Sequence, residues 1–234
     1  MATCFGSITS VQRQRERPEV SDPAVEVAIN VTKRVAFVAH CLVNQNAKVQ
    51  EFARSPGVVP GVIERLRKYA YRIQQLPCPE MAFAGVNRWW QGRELYDKAN
   101  YRRHCQILAE NLAEPIAEFY RRGFEVVVIG LDGSPSSGVR YTGKAKDWGG
   151  RPHFEEGDYE VVEGMGVWIE ELKAGLEIRG IPWPRATGML LDTTDWDEER
   201  DLPACLDELV VFLAGGGRSA DAVGPDSGGS CATT

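Results

Sequence analysis

The chain has 234 residues, a formal net charge of −6 and 43% hydrophobic residues. This composition is ordinary for one globular domain with a sizeable core. The acidic balance argues against a protein that binds nucleic acid through a broad basic face, so nucleic acid is disfavoured as a partner. No apolar run is long enough to span a bilayer, and no charged start precedes a hydrophobic signal segment. We therefore expect no membrane partner and a cytoplasmic location.

Six cysteines are spread along the chain, and no two of them form a CxxC pair. In a chain of this size the pattern predicts reduced thiols rather than a disulfide framework. The missing CxxC pairs also disfavour a zinc ribbon, a thioredoxin-type site and a ferredoxin-like cluster run. Any metal site must therefore combine cysteines that are distant in sequence. The six are Cys4, Cys41, Cys78, Cys105, Cys205 and Cys231.

The first third of the chain predicts a tail followed by a strand, a helix and a second strand. Residues 1–32 are polar and lack periodicity, which predicts a mobile N-terminal tail. The first strand is expected at Lys33–His40, and Cys41 follows at its exit. A helix is expected at Ser55–Ala70, with a serine and a proline as start signals. The second strand is expected at Tyr71–Leu76.

The second strand must end at Pro77-Cys78-Pro79, because two prolines cannot continue the pairing, and this puts Cys78 at a second strand exit. Residues 80–100 form an irregular segment that contains Arg88, Trp89, Trp90 and Arg93. Such a mixture can stack a heterocycle or cover the edge of the sheet, and we favour the covering role.

A long amphipathic helix is expected at Tyr101–Phe119, and Gly123 closes it. The segment Phe124–Val139, FEVVVIGLDGSPSSGV, follows. Its near-continuous apolar run is typical of a central parallel strand that is buried on both faces. The run breaks at once into Gly133–Gly138, a loop of small hydroxyl residues where an open α/β sheet binds its ligands.

The last part of the chain completes the predicted fold. A surface loop is expected at Asp147–Asp158, a helix over Val162–Leu176, a fourth strand at Ala186–Leu191 and a helix at Leu202–Ala214 that Asp201 caps. Residues 215–234 are low in complexity and predict a disordered C-terminal tail. The expected fold is a single Rossmann-like α/β domain over residues 33–214. Its mostly parallel sheet is flanked by helices, with the ligand site at the carboxyl ends of the strands.

Cys41, Cys78 and the serine loop each follow a different predicted strand, so folding should bring them to one crevice. A pair of soft thiolates beside a third ligand suits zinc or an iron–sulfur cluster better than magnesium or calcium.

These residues also resemble a known family. His40-Cys41-Leu42 with Asn44, Leu76-Pro77-Cys78-Pro79-Glu80, and Gly133-Ser134-Pro135-Ser136-Ser137-Gly138-Val139 are similar to the three motifs of TudS-type thiouracil desulfurases and TudS-related desulfidases. The resemblance covers roughly residues 33–145. It implies a [4Fe-4S] cluster held by one cysteine from each motif. One iron then has no protein ligand and takes sulfur from a small thiolated substrate in a non-redox exchange.

The resemblance assigns a role to each matching residue. Cys41 and Cys78 would hold the cluster, and Ser137 stands where the third cysteine of the family pattern is expected. Serine is a harder and less readily ionised ligand than cysteine, so cluster binding should be weaker or altered. Glu80 matches the acid/base carboxylate that activates water, and Ser134 matches a catalytic hydroxyl that relays a proton or orients the substrate.

Three alternatives stay open at this point. Ser137 can record the loss of the cluster, which would leave a cluster-free Rossmann-like protein that binds a small molecule or an anion at the loop amides. A plain zinc site at the two cysteines is the second alternative. Cys105 can replace the third ligand, although its place on a core helical stripe favours packing. The acidic balance favours a thiouracil-like base or nucleoside over RNA as substrate.

Overall fold

The computed structural model describes residues 32–145, 159–191 and 197–215. The predicted tails lie outside these ranges except for residues 32 and 215. The predicted loop at 147–158 lies outside them entirely. The strands within the described ranges are β1 (Arg34–Val38), β2 (Arg72–Gln75), β3 (Glu125–Asp132), β4 (Tyr141–Ala145), β5 (Tyr159–Glu163) and β6 (Arg185–Leu190). The α-helices there are α1 (His40–Val43), α2 (Val62–Lys68), α3 (Pro79–Ala84), α4 (Arg93–Tyr96), α5 (Ala99–Arg121), α6 (Val167–Ile178) and α7 (Glu198–Leu213).

Four strands form a fully parallel sheet in the order β2-β1-β3-β6. The chain moves outward from β1 to β2 and then returns to place β3 on the other side of β1. This reversal creates a topological switch point between β1 and β3, where open α/β sheets bind ligands. The predicted Rossmann-like α/β fold with a mostly parallel sheet is confirmed, and so is the central position of β3.

The two interior strands are apolar on both faces because each face is covered by helices. Val35 and Phe37 of β1 point into the core that contains residues of α5 and α6. Ala36 and Val38 point to the other side, where residues of α2 and α7 pack. Successive side chains of a strand alternate between faces, so only a continuous apolar run can fill both cores. None of the helices in the described ranges is both long and apolar enough to cross a membrane.

Strands β4 and β5 form a separate antiparallel hairpin. The predicted helix over Val162–Leu176 was wrong at its start, because Val162 pairs with Thr142 in this hairpin and the helix begins at Val167. The helix predicted at Ser55–Ala70 is also shorter, since the chain turns through Gly61 at a φ of 82° before α2 begins. A left-handed residue at this position ends any helix that comes before it.

Two further predictions were wrong in detail. The segment at residues 80–100 is not wholly irregular, because it contains α3 and α4. The cap of the last helix is Asp197 rather than Asp201, and its side chain accepts a hydrogen bond from the Arg200 amide. The last helix begins only about one turn before the start that its apolar stripe indicates, which is close to the usual uncertainty of a helix end.

Candidate active site

A cavity of about 210 Å³ opens at the carboxyl ends of β1, β2 and β3. The side chains that could carry out chemistry there come from all three sequence motifs and from the segment that follows the second motif. They are Cys41, Cys78, Glu80, Arg88, Ser134 and Ser137. The structure therefore brings every sequence-predicted site residue to one pocket, at the edge of the sheet where the sequence places it. The chemical roles of these residues stay predictions.

The two pocket cysteines follow β1 and β2 directly. Cys41 lies in α1 and is buried, and the side-chain amide of Gln45 donates to its carbonyl at 2.6 Å. Cys78 caps the start of α3, and its sulfur accepts a hydrogen bond from the Met81 amide with an N···S distance of 3.4 Å. Burial raises the pKa of the Cys78 thiol, and the nearby Glu80 carboxylate raises it further. Both cysteines are thiols that take part in no disulfide.

Glu80 is a buried carboxylate that accepts three hydrogen bonds from side chains. Its Oε1 atom accepts from the Ser136 hydroxyl. Its Oε2 atom accepts from Arg88 Nε at 3.1 Å and from the Tyr96 hydroxyl at 3.2 Å. Burial raises the pKa of the Tyr96 phenol, so this residue remains a hydrogen-bond donor. These contacts fix the carboxylate in one orientation at the wall of the pocket.

From the sequence, Arg88 was expected only to be part of an aromatic and basic segment. In the structure its side chain is buried, with 4% exposed. Besides Glu80, it donates to the Ala47 carbonyl at 2.9 Å and to the Gly85 carbonyl at 3.2 Å. Ala47 lies six residues after Cys41, and Glu80 lies two after Cys78. Arg88 therefore ties together the two chain segments that carry the pocket cysteines.

The serine loop folds back over the end of β3. Ser137 is buried, and its carbonyl accepts from the Leu131 amide at 3.1 Å. A Cβ on Gly130 would lie 2.3 Å from that carbonyl oxygen, so only glycine admits this approach. The Ser134 hydroxyl oxygen accepts from the amides of Ser136 at 3.3 Å and Ser137 at 3.0 Å. This local pattern is a serine turn that needs no ligand to hold it.

The loop amides are not available to cradle an anion, which was the basis of the cluster-free alternative. Pro135 has no amide hydrogen, and each of the other loop amides already donates within the protein. Their acceptors are the Tyr141 carbonyl for Gly133, the Leu131 carbonyl for Ser134, the Ser134 hydroxyl for Ser136 and Ser137, and the Ser134 carbonyl for Gly138. The structure thus gives no support to an anion site formed by this loop.

Asp132 anchors the far end of the loop, and the sequence analysis missed it. Its side chain is completely buried, and Oδ1 accepts from the amides of Val139 and Arg140, each at 2.9 Å. Its Oδ2 atom accepts from Arg140 Nε at 2.9 Å. The sequence signal that could have revealed it is an aspartate at the end of an apolar strand. A carboxylate that is buried there must be paired with hydrogen-bond donors.

Aromatic rings form another wall of the pocket. Phe52, Trp90 and Tyr159 come from three different segments, and all three line the cavity. The Trp90 ring meets Phe52 at 6.5 Å and Tyr159 at 5.6 Å between centroids, both edge to face. Trp90 is buried and lines the cavity, whereas Trp89 is 55% exposed; the covering role expected for this segment stays a prediction. Aromatic walls of this kind suit a planar heterocyclic ligand.

The pocket presents two thiols and one serine hydroxyl at the positions that the resemblance assigns to a cluster. Soft thiol donors in a pocket with apolar walls fit an iron–sulfur group at two positions, and Ser137 offers an oxygen at the third. Cys105 does not line this cavity, because it lies on α5 and is fully buried in the core that α5 shares with α6. Burial raises the pKa of the Cys105 thiol to about 12. Within the described ranges, no three His, Cys, Asp or Glu side chains are grouped as potential metal ligands.

Comparison with known proteins identifies relatives of this chain. The sequence pattern of the family described as "Putative 2-thiouracil desulfurase" matches residues 35–149. The uncharacterized protein MJ0003 of Methanocaldococcus jannaschii is 35% identical over 107 residues, which are 46% of this chain and 69% of that relative. A solved structure of a [4Fe-4S]-dependent thiouracil desulfidase, TudS, is 21% identical with a TM-score of 0.37, over 66% of this chain and 89% of the other.

Proposed function

The chain belongs to the 2-thiouracil desulfurase family, and from this membership we propose that it is an iron–sulfur-dependent, non-redox desulfidase. Its substrate is a small thiolated compound, a thiouracil-like base or nucleoside. The observation that carries the proposal is the convergence of Cys41, Cys78 and Ser137 with Glu80 and Ser134 around one pocket. Residues from three separate motifs meet there beside aromatic walls that suit a planar ring.

The proposed reaction replaces sulfur by oxygen on one carbon of the substrate. Water adds to the carbon, the carbon–sulfur bond breaks, and the sulfur leaves as hydrogen sulfide with both hydrogens of the water. No electrons are exchanged, so the reaction needs neither an oxidant nor a reductant. With 2-thiouracil as substrate, the products are uracil and hydrogen sulfide in equal amounts.

Cys41 and Cys78 would hold the [4Fe-4S] cluster through thiolates, with Ser137 at the third position. When bound, such a cluster supplies a Lewis-acidic iron and a soft acceptor for the leaving sulfur. The Arg88 guanidinium lies at the same wall of the pocket. It favours anionic groups in this pocket, including thiolates.

Glu80 is proposed to hold the attacking water and to take its proton. An ionised carboxylate has about four acceptor positions. Protein donors occupy one position on Oε1 and two on Oε2. The remaining position is therefore on Oε1, and a water bound there would be directed by the same contacts that fix the carboxylate. Ser134, which belongs to the third motif, is proposed to orient the substrate.

The direct test is the iron and acid-labile sulfide content after anaerobic reconstitution of the full chain. Wild type, Cys41→Ser, Ser137→Cys and Cys105→Ser are compared, the last as a buried-cysteine control. We expect about four irons in wild type, as a [4Fe-4S] cubane requires, loss in Cys41→Ser, tighter binding in Ser137→Cys and no change in Cys105→Ser. If only Ser137→Cys gains iron, the chain has the family fold without its cofactor and the proposal is overturned.

Activity is then followed as sulfide and uracil released from 2-thiouracil. Replacing Glu80 with Gln should abolish sulfur release while the iron content stays at the wild-type value. Turnover at the wild-type rate in this variant removes Glu80 from the mechanism.

A further inference from the structure

Ser136 lies behind the pocket wall, between two residues that line it. It is 1% exposed and is not one of the pocket-lining residues. Its hydroxyl donates to Oε1 of Glu80, and its Oγ atom lies 3.4 Å from Oγ of Ser134. Glu80 and Ser134 both line the pocket, and Ser136 contacts both of these proposed catalytic side chains from the buried side.

The acceptors determine the direction of the hydrogen bonds. An ionised carboxylate can only accept, so Ser136 donates its hydrogen to Glu80 and presents lone pairs to Ser134. The Ser134 oxygen already accepts from two backbone amides, which leaves its own hydrogen to be donated. The Ser134 hydroxyl therefore donates to Ser136 Oγ, and the Ser136 hydroxyl donates to Glu80 Oε1. The 3.4 Å spacing is longer than a tight hydroxyl bond, and such contacts often shorten only when substrate is bound.

We propose that Ser136 is a positioning residue that joins Ser134 and Glu80 into a single hydrogen-bonded unit. This inference rests on the proposed function, because it concerns two residues to which that function gives catalytic roles. Ser136 itself does not reach the substrate. It sets the orientation of the Ser134 hydroxyl and of Oε1, the carboxylate oxygen with a free acceptor position.

The backbone of Ser136 is held by contacts that do not involve its hydroxyl. Its carbonyl accepts from the amides of Trp168 at 3.1 Å and Ile169 at 3.3 Å, at the start of α6. A Cβ on Gly166 would lie 2.3 Å from the carbonyl carbon of Ser136, so the chain there packs tightly on the loop. Replacement by alanine therefore removes the hydroxyl while the main chain keeps its other anchors.

Glu80 also keeps its place when the hydroxyl is lost, because Arg88 and Tyr96 still bind its Oε2 atom. The Ser136→Ala variant thus loses orientation at Oε1 and at Ser134 without losing the carboxylate from the pocket wall. A control residue is available in Thr142, whose buried hydroxyl donates to the Ser134 carbonyl at 3.2 Å but does not contact Glu80. Thr142→Val removes a comparable hydrogen bond from the same loop.

The test is a double-mutant cycle with 2-thiouracil as substrate, on reconstituted full-length protein. Ser136→Ala should lower kcat by roughly ten- to a hundredfold, the scale of one lost hydrogen bond to a charged group, and change KM less than about twofold. In a Ser134→Ala background the same replacement should have almost no further effect, because the unit is already broken. Ser136→Thr should restore most of kcat, and Thr142→Val should lower it less than about threefold.

Two results overturn the inference. One is a multiplicative loss in the double variant, which shows that the two serines act independently. The other is an equal loss in Thr142→Val, which shows that any weakened loop contact has the same effect.

A second readout separates this inference from the proposed function. If the wild type releases no sulfide, the proposed function fails, and urea unfolding of the same four proteins of the cycle decides the remaining question. Shifts in the unfolding midpoint that do not add up for Ser134→Ala and Ser136→Ala show that the side chains are joined. Additive shifts show that they are not, and the inference is then wrong as well.

Discussion

Asp132 provides the sharpest test of how the pocket is held in shape. Its completely buried carboxylate accepts hydrogen bonds from the amides of Val139 and Arg140 and from Arg140 Nε, all at 2.9 Å. These contacts close the serine loop onto the end of β3. The same arginine also reaches Glu208 at 3.4 Å, but that carboxylate is 68% exposed. One cation thus has a buried partner and an exposed partner, which is a natural matched comparison.

The expected costs follow from burial. Asp132→Ala leaves two amides without their acceptor and removes one partner of the Arg140 guanidinium, which is 34% exposed; each buried donor left unpaired costs about 1–3 kcal/mol. Asp132→Asn keeps one oxygen for the amides and loses the charge-assisted bond to Arg140, which costs about 1.5–3 kcal/mol. Glu208→Gln removes an exposed pair, worth about 0–1 kcal/mol.

Urea unfolding and thermal melts of the full chain measure these differences. For a protein of this size, 1 kcal/mol shifts Tm by roughly 2–4 °C, so Asp132→Asn should melt about 5 °C lower, and Asp132→Ala about 10 °C lower or more. Glu208→Gln should stay within about 2 °C of wild type. Equal shifts for Asp132→Asn and Glu208→Gln would refute the reasoning, because burial would then make no difference to the pair.

Three further predictions concern the pocket wall, the packing behind the serine loop and the core. Arg88→Gln should lower both Tm and kcat, and Arg88→Lys should not restore them, because an ammonium cannot reproduce a guanidinium that binds a carboxylate and two carbonyls. Gly166→Ala should lower Tm because its Cβ would meet the Ser136 main chain at 2.3 Å, whereas Gly57→Ala, with no atom within 4 Å of its Cβ, should be nearly neutral in the same melts. Cys105→Ser should lower Tm by burying a hydroxyl in the core but leave the iron content unchanged, and a loss of iron would contradict the packing role.

The parallel sheet could be predicted from sequence because its interior strands are buried on both faces. Residues 126–129 of β3 are all fully or almost fully buried, and such a strand must be apolar at every position. The long helix α5 was also predictable, since its buried residues recur every three or four positions. In both elements the local pattern and the tertiary environment favour the same structure.

The β4–β5 hairpin was not predictable in the same way. The sequence of β4, YTGKA, has a glycine at its centre, and only two of its five residues are buried. Gly143 is required there because the Tyr159 hydroxyl lies 1.6 Å from where a Cβ would be. Glycine is rare in strands, so a glycine that is needed for contact with a ring distant in sequence does not indicate a strand. The contribution of Tyr159 to the pocket was missed for the same reason.

The candidate site also has a part that local sequence patterns predict and a part that they do not. The positions of Cys41, Cys78 and the serine loop follow from strand exits, which sequence patterns indicate well. The partners of Glu80 do not, because its contact with Ser136 spans 56 residues and the contact of Arg88 with Ala47 spans 41. Hydrogen bonds between distant segments depend on how helices and loops pack. The hydrophobic periodicity of a single sequence does not indicate such contacts.

Ser137 shows how the fold and the chemistry of this pocket can be separated. Its amide is bound to the Ser134 hydroxyl and its carbonyl to the Leu131 amide, so the main chain at this position does not depend on which atom follows Cβ. Serine and cysteine there would present oxygen or sulfur from the same backbone. The consequence of serine is therefore confined to ligand chemistry, because a hydroxyl is harder and ionises far less readily than a thiol. For that reason Ser137→Cys should alter cofactor affinity without altering Tm of the cofactor-free protein.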